Sequence, residues 1–145
     1  MLAPLTNADL ESKIKAVLPN ARIMFGDSSH LAVKEDWITG DLYNYFERWL
    51  DAMRVDGWDT HFDCDDFATL FRMVAQGSLN SSKQSHALKG QALAIGEMWY
   101  KNDRGGHAIC VTICEEGVVK FLEPQSGEMV CLDTSELQSC WHVRF

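Results

Sequence analysis

The sequence predicts an α+β domain in which N-terminal helices pack on a C-terminal antiparallel β-sheet. Two observations carry this. Apolar residues recur at helical spacing as far as Gln76, and from Leu88 onward they alternate at strand spacing between turn signals. The 145 residues suit one domain spanning 1–145 and are enough to bury a core.

The elements follow in order. Asn7 is positioned to cap a first helix from about Ala8 to Leu18, with Leu10, Ile14 and Val17 on one face and Pro19-Asn20 ending it. Arg22 to Phe25 and His30 to Lys34 read as short extended pieces around the turn Gly26-Asp27-Ser28-Ser29. Thr39 or Asp41 starts a second helix reaching about Val55, striped by Leu42, Tyr45, Phe46, Trp49, Leu50 and Met53. A loop from Asp56 to Phe62 holds Trp58 and His61. A third helix covers Cys64 to Gln76, with Gly77 as its stop, and Ser78 to Ser85 form a polar surface loop. Strands are expected at Gln91–Tyr100, His107–Cys114, Val118–Glu123, Met129–Leu132 and Cys140–Phe145.

A formal charge of −8 argues against nucleic acid as a partner, because phosphate binding relies on Lys and Arg. No segment is apolar and long enough to cross a bilayer, and the N-terminus lacks a basic region followed by an apolar run. The expected location is cytoplasmic. Five cysteines without a close CxxC pair suggest neither a disulfide framework nor a structural zinc site. Cys110, Cys114, Cys131 and Cys140 are read as packing residues, and Glu97 as a surface-facing residue of its strand.

Asp63-Cys64-Asp65-Asp66 places one thiol among three carboxylates at a helix start. The helix terminus favours a thiolate, whereas the carboxylates oppose it. Asp63 suits the N-cap and Asp65 and Asp66 the first turn. Downstream, Glu115-Glu116-Gly117 reads as a three-residue hairpin loop with glycine at the left-handed position, so that paired residue numbers sum to 232. His107 then shares a face with Ile109, Val111 and Ile113. Glu123 is its diagonal neighbour across the hairpin, about 7–8 Å away between backbones. If the Cys64, Phe67, Ala68, Phe71, Val74 and Ala75 stripe covers that face, thiol, imidazole and carboxyl converge. Such a set forms an activated nucleophile, with Gln125 or a backbone N–H near Cys64 available to an oxyanion. Oxygen ligands from Asp65, Asp66 and Glu123 would suit a divalent cation, calcium, manganese or magnesium rather than zinc, and would reverse the local charge balance.

The set Asp63-Cys64-Asp65-Asp66-Phe67-Ala68, Gly106-His107-Ala108 and Leu122-Glu123-Pro124-Gln125 resembles the C-terminal domain of a mushroom agglutinin. The resemblance runs from about Trp58 to Gln125. It implies a papain-like fold with Cys64 as nucleophile, His107 as base and Glu123 as orienting acid. Gln125 and Trp58 stand near positions that matter in that family, and Asp65 and Asp66 would be ligands to an activating calcium or manganese ion. The agglutinin's sugar-binding β-trefoil is missing here, so the resemblance carries no sugar recognition with it. The first 55 residues match no motif, and in that family the region contributes to dimer contacts, which makes a homodimer possible. The expected function is therefore a metal-activated cysteine hydrolase cleaving peptide or amide bonds in a peptide or protein substrate. The alternative is a catalytically silent, metal-binding interaction module or inhibitor that acts by protein binding, on a host or phage partner.

Overall fold

A computed structural model of the chain describes residues 4–81 and 91–145. Strand β1 (Leu5–Thr6) leads directly into helix α1 (Asn7–Val17). Thr6 is the cap of α1 in place of Asn7: its hydroxyl accepts the Asp9 N–H, and the Asp9 carboxylate accepts the Thr6 N–H. Strands β2 (Arg22–Met24) and β3 (Ser29–Leu31) flank the expected turn.

The second helical stretch starts earlier than expected, as a single turn α2 (Glu35–Trp37), and continues through a π-helical turn at Ile38–Leu42 into α3 (Tyr43–Met53). Ile38 and Leu42, at the two ends of that turn, are both buried. Arg54, at φ 59°, ends α3, and Val55 N–H reaches back to the Leu50 carbonyl. Only Phe46 of α3 is fully buried, so the expected stripe is narrower than its sequence: Tyr45, Trp49 and Met53 are exposed.

Helix α4 (Cys64–Ser81) runs through Gly77 rather than stopping there. Residues 82–85 of the expected surface loop lie outside the described residues. The strands that follow are β4 (Ala92–Leu93), β5 (Ile95–Asn102), β6 (Gly105–Ile113), β7 (Val119–Glu123) and β8 (Glu128–Val130). A short helix α5 (Thr134–Ser139), absent from the sequence reading, precedes β9 (His142–Arg144).

Six strands form one sheet in the order β2-β9-β5-β6-β7-β8, antiparallel except for the β2/β9 pair. A smaller sheet, β1-β3-β4, lies beside it. The β6/β7 hairpin has the expected register, with Cys110 opposite Leu122, Val111 opposite Phe121 and Ile113 opposite Val119. Gly117, at φ 76°, occupies the left-handed position of its loop.

Both faces of the large sheet are buried. The α4 stripe of Phe67, Ala68, Phe71 and Ala75 packs on Ala108, Cys110 and Leu122. Leu10, Ile14 and Leu18 of α1 pack on Ile109, Val111, Ile113 and Phe121. The stripe that carries Cys64 therefore covers the face opposite to the one expected. Alternation states which residues share a face; it does not state which of two helices will cover it.

Glu97 is a second correction. It is 1% exposed, lies between β5 and α4, accepts a 2.5 Å hydrogen bond from the Thr69 hydroxyl, and has Arg144 at 3.7 Å. A buried carboxylate needs such partners. All five cysteines are free thiols. Cys110, Cys114 and Cys140 are buried, but Cys131 is exposed on the chain leaving β8.

Candidate functional site

Three local structures build a cleft at one end of the sheet. The first is the start of α4. The Asp63 carbonyl accepts the Phe67 N–H, which makes Asp63 the N-cap, and the Asp66 carboxylate reaches back 3.2 Å to the Asp63 N–H. That geometry fixes Cys64 at the first helical position. The second is the β5/β6 hairpin, whose two-residue turn Asp103-Arg104 brings Gly105, Gly106 and His107 to the rim. The third is the turn after β7. Ser126 and Gly127 both donate to the Glu123 carbonyl, at 3.2 and 2.8 Å. Gly127 has φ 74°, and a Cβ there would meet the Tyr43 ring at 2.6 Å, so only glycine lets α3 close over this turn.

The resulting cleft of about 870 Å³ is lined by Trp58, Asp63, Cys64, His107, Glu123 and Gln125, with Asn102, Asp103, Arg104 and Gly106 completing its rim. Cys64, His107, Glu123, Gln125 and Trp58, singled out from the sequence, thus share one concavity. His107 Nε2 lies 2.7 Å from Glu123 Oε2, with both side chains 20% exposed. Glu123 Oε1 also accepts the Gln125 N–H at 3.1 Å. The His107 ring stands edge-on to Tyr100, 5.7 Å between centroids. Trp58 is 59% exposed and projects from the loop between α3 and α4.

The electrostatics around Cys64 oppose ionisation. Burial pushes the thiol up, and the charges of Asp63 and Asp65 push it further; hydrogen bonds from the Ala108 and Asp65 N–H groups act the other way. Asp65 is itself raised to about 6, because it shares a hydrogen bond with Asp63, is partly desolvated, and sits beside the charges of Asp63 and Asp66.

Oxygen and sulfur atoms of Asp63, Cys64 and Asp65 lie within 4.8 Å of one another. Asp63 Oδ1 is buried without a hydrogen-bond partner. Of the expected metal ligands, Asp65 belongs to this group. Asp66 is turned to the cap instead, and Glu123 is held by His107 and Gln125. Asp63, read from sequence only as a cap, supplies the second carboxylate. Arg104 and Asn102 at the rim were not anticipated. The tight turn at Asp103-Arg104 was the available signal, since Asn102 Oδ1 accepts the Arg104 N–H at 2.9 Å.

No protein-family model and no curated protein matches the chain. Solved structures do. Over 98% of its length the chain superposes on a chain described as a PSL1a–E64 complex, with a TM-score of 0.78 and 24% identity, covering 51% of that chain. It matches a Polyporus squamosus lectin bound to the human-type influenza-binding epitope Neu5Aca2-6Galb1-4GlcNAc at a TM-score of 0.75 and 23% identity, again over 98% of this chain and 49% of that one. The fold is similar to that of a mushroom lectin. The present chain spans about half the length of these lectin chains.

These likenesses overturn the expected hydrolase. One of the two is described as a lectin bound to a glycan epitope, which runs against the expected cleavage of peptide or amide bonds and against the expected peptide or protein substrate. Among the described residues, no helix is long and apolar enough to cross a membrane.

Proposed function

We propose that this chain is a binding module that takes a hydroxyl-rich ligand, of the glycan class, in the cleft between Trp58 and His107. One observation carries the reading: a large, half-exposed indole stands over a concave surface lined by carboxylate and amide side chains. A sugar ring has an apolar C–H face that suits stacking on Trp58. Its hydroxyls suit Gln125, Asn102 and Asp103, which offer both donors and acceptors. Glu123 fixes the His107 ring through Nε2 and leaves Nδ1 for the ligand. Cys64 lines the wall beside Asp63. The scaffold is read as papain-like, with a helix opening on Cys64 set against a strand opening on His107.

A divalent cation completes the proposal. Asp63, Cys64 and Asp65 would hold it. The orphaned Asp63 Oδ1 and the proton shared between Asp63 and Asp65 are what a cation would relieve. Two carboxylates with one sulfur favour manganese over calcium, whose ligands are oxygens. The ion would neutralise the cleft wall and lock the start of α4.

A glycan array followed by calorimetry on the strongest hit tests the module. Trp58→Ala is expected to weaken binding about tenfold or more, equivalent to ~1.4 kcal/mol. An affinity indifferent to Trp58→Ala, or no glycan bound at all, overturns the reading.

A further inference from the structure

Behind Trp58 lies a second, smaller depression of about 240 Å³ on the α3 side. It shares Trp58 and Gln125 with the cleft but has walls of its own. Tyr43, Trp58 and Phe67 supply aromatic surface, and Glu47, Asp51 and Asp56 supply carboxylates; no Lys, Arg or His lines it. We infer that this depression is a binding site for an organic cation, such as a quaternary ammonium group or a lysine-type ammonium with its last methylenes.

The aromatic walls are built before any ligand arrives. Phe67 is 3% exposed and meets Phe62 edge-on at 4.8 Å between ring centroids. Tyr43 is held against Phe46 and Phe71, at 5.9 and 6.4 Å, and is closed from below by Gly127. A cation over such rings is attracted by their negative faces, and the attraction grows as water is excluded. The three carboxylates stand exposed around the mouth, and the whole chain carries a charge of −8, so a cation is drawn in and an anion repelled. The Tyr43 hydroxyl reports the same field. Burial raises it first, and the charges of Glu47 and Glu123 raise it further. A hydrated metal ion is a poorer match, because it would use the carboxylates alone and gain nothing from the apolar aromatic walls.

This site does not rest on the glycan reading, since none of its carboxylates belongs to the cleft. The probe is choline, with 3,3-dimethylbutan-1-ol as its neutral isostere. Binding is followed by the NMR signal of the Trp58 indole N–H, assigned with Trp58→Phe. Choline is expected to give a saturable shift, with the neutral isostere at least about tenfold weaker. The exposed triple variant Glu47→Gln, Asp51→Asn, Asp56→Asn is expected to bring choline down to the level of the isostere. Equal binding of the two probes in the wild-type protein overturns the inference, as does a choline response that never saturates or that survives the triple variant.

Discussion

Asp65 and His30 hold their protons in opposite senses, and each makes a prediction at the scale of one residue. The Asp65 carboxyl is raised to about 6 from an ordinary 3.8. The folded state therefore binds the extra proton between those values, and stability falls as pH rises through that window. Asp65→Asn is expected to remove the slope and to raise Tm at neutral pH. Added Mn²⁺ is expected to do the same for the wild type and much less for the variant. His30 is fully buried between Phe25 and Phe145 with both ring nitrogens unpartnered. Burial lowers its pKa, partly opposed by the charge of Asp27. The unfolded chain takes the proton first, so this contribution is present above about 6.5 and is lost as pH falls below it. A His30→Phe variant is expected to lose less Tm than the wild type between pH 7.5 and pH 5, which thermal melts at the two pH values would show. The sequence marks Asp65 as a perturbed group, since three carboxylates around a thiol are visible in four letters. It does not mark His30, whose isolation depends on Phe145, which lies 115 positions away in the chain.

At the scale of the element, α4 is the scaffold of the site, and Gly77 is its weak point. A Cβ at Gly77 would meet nothing within 4 Å, and the position is exposed within the helix. Gly77→Ala is expected to stabilise the protein by ~0.5–1 kcal/mol, read as a higher midpoint in urea with an unchanged slope. Phe71, fully buried where α4 meets α3, is the opposite case: Phe71→Ala is expected to cost ~3–5 kcal/mol. Sequence spacing is enough to find the α4 stripe, but not its length. Glycine is the usual stop signal. Here the helix carries on because the Gln76 amide is bonded twice to the Leu93 backbone, at 3.0 and 2.8 Å, and Leu79 still packs on the core. By contrast, α5 was legible and missed. Asp133 and Glu136 form a capping box spaced three apart, the same pattern that Thr6 and Asp9 use to start α1.

For the whole molecule, the hairpin register that places His107 near Glu123 follows from counting around Gly117, and the structure pairs those strands as counted. The covering of the sheet was not countable. Two helices of similar apolar content compete for its faces, and only packing assigns α4 to Ala108 and Cys110 and α1 to Ile109 and Val111. Function was less legible still. Cys64, His107 and Glu123 were readable as a constellation, while the proposal that their cleft captures a ligand without converting it rests on the exposed Trp58 that lines the same concavity. That distinction is open to one direct measurement. The protein is titrated with its strongest glycan ligand by calorimetry, with and without Mn²⁺, and the ligand is then recovered and weighed by mass spectrometry. A saturable one-site isotherm with the ligand returned at unchanged mass is the expected result. Loss of ligand mass that depends on Cys64, or heat that continues without saturation, would contradict it.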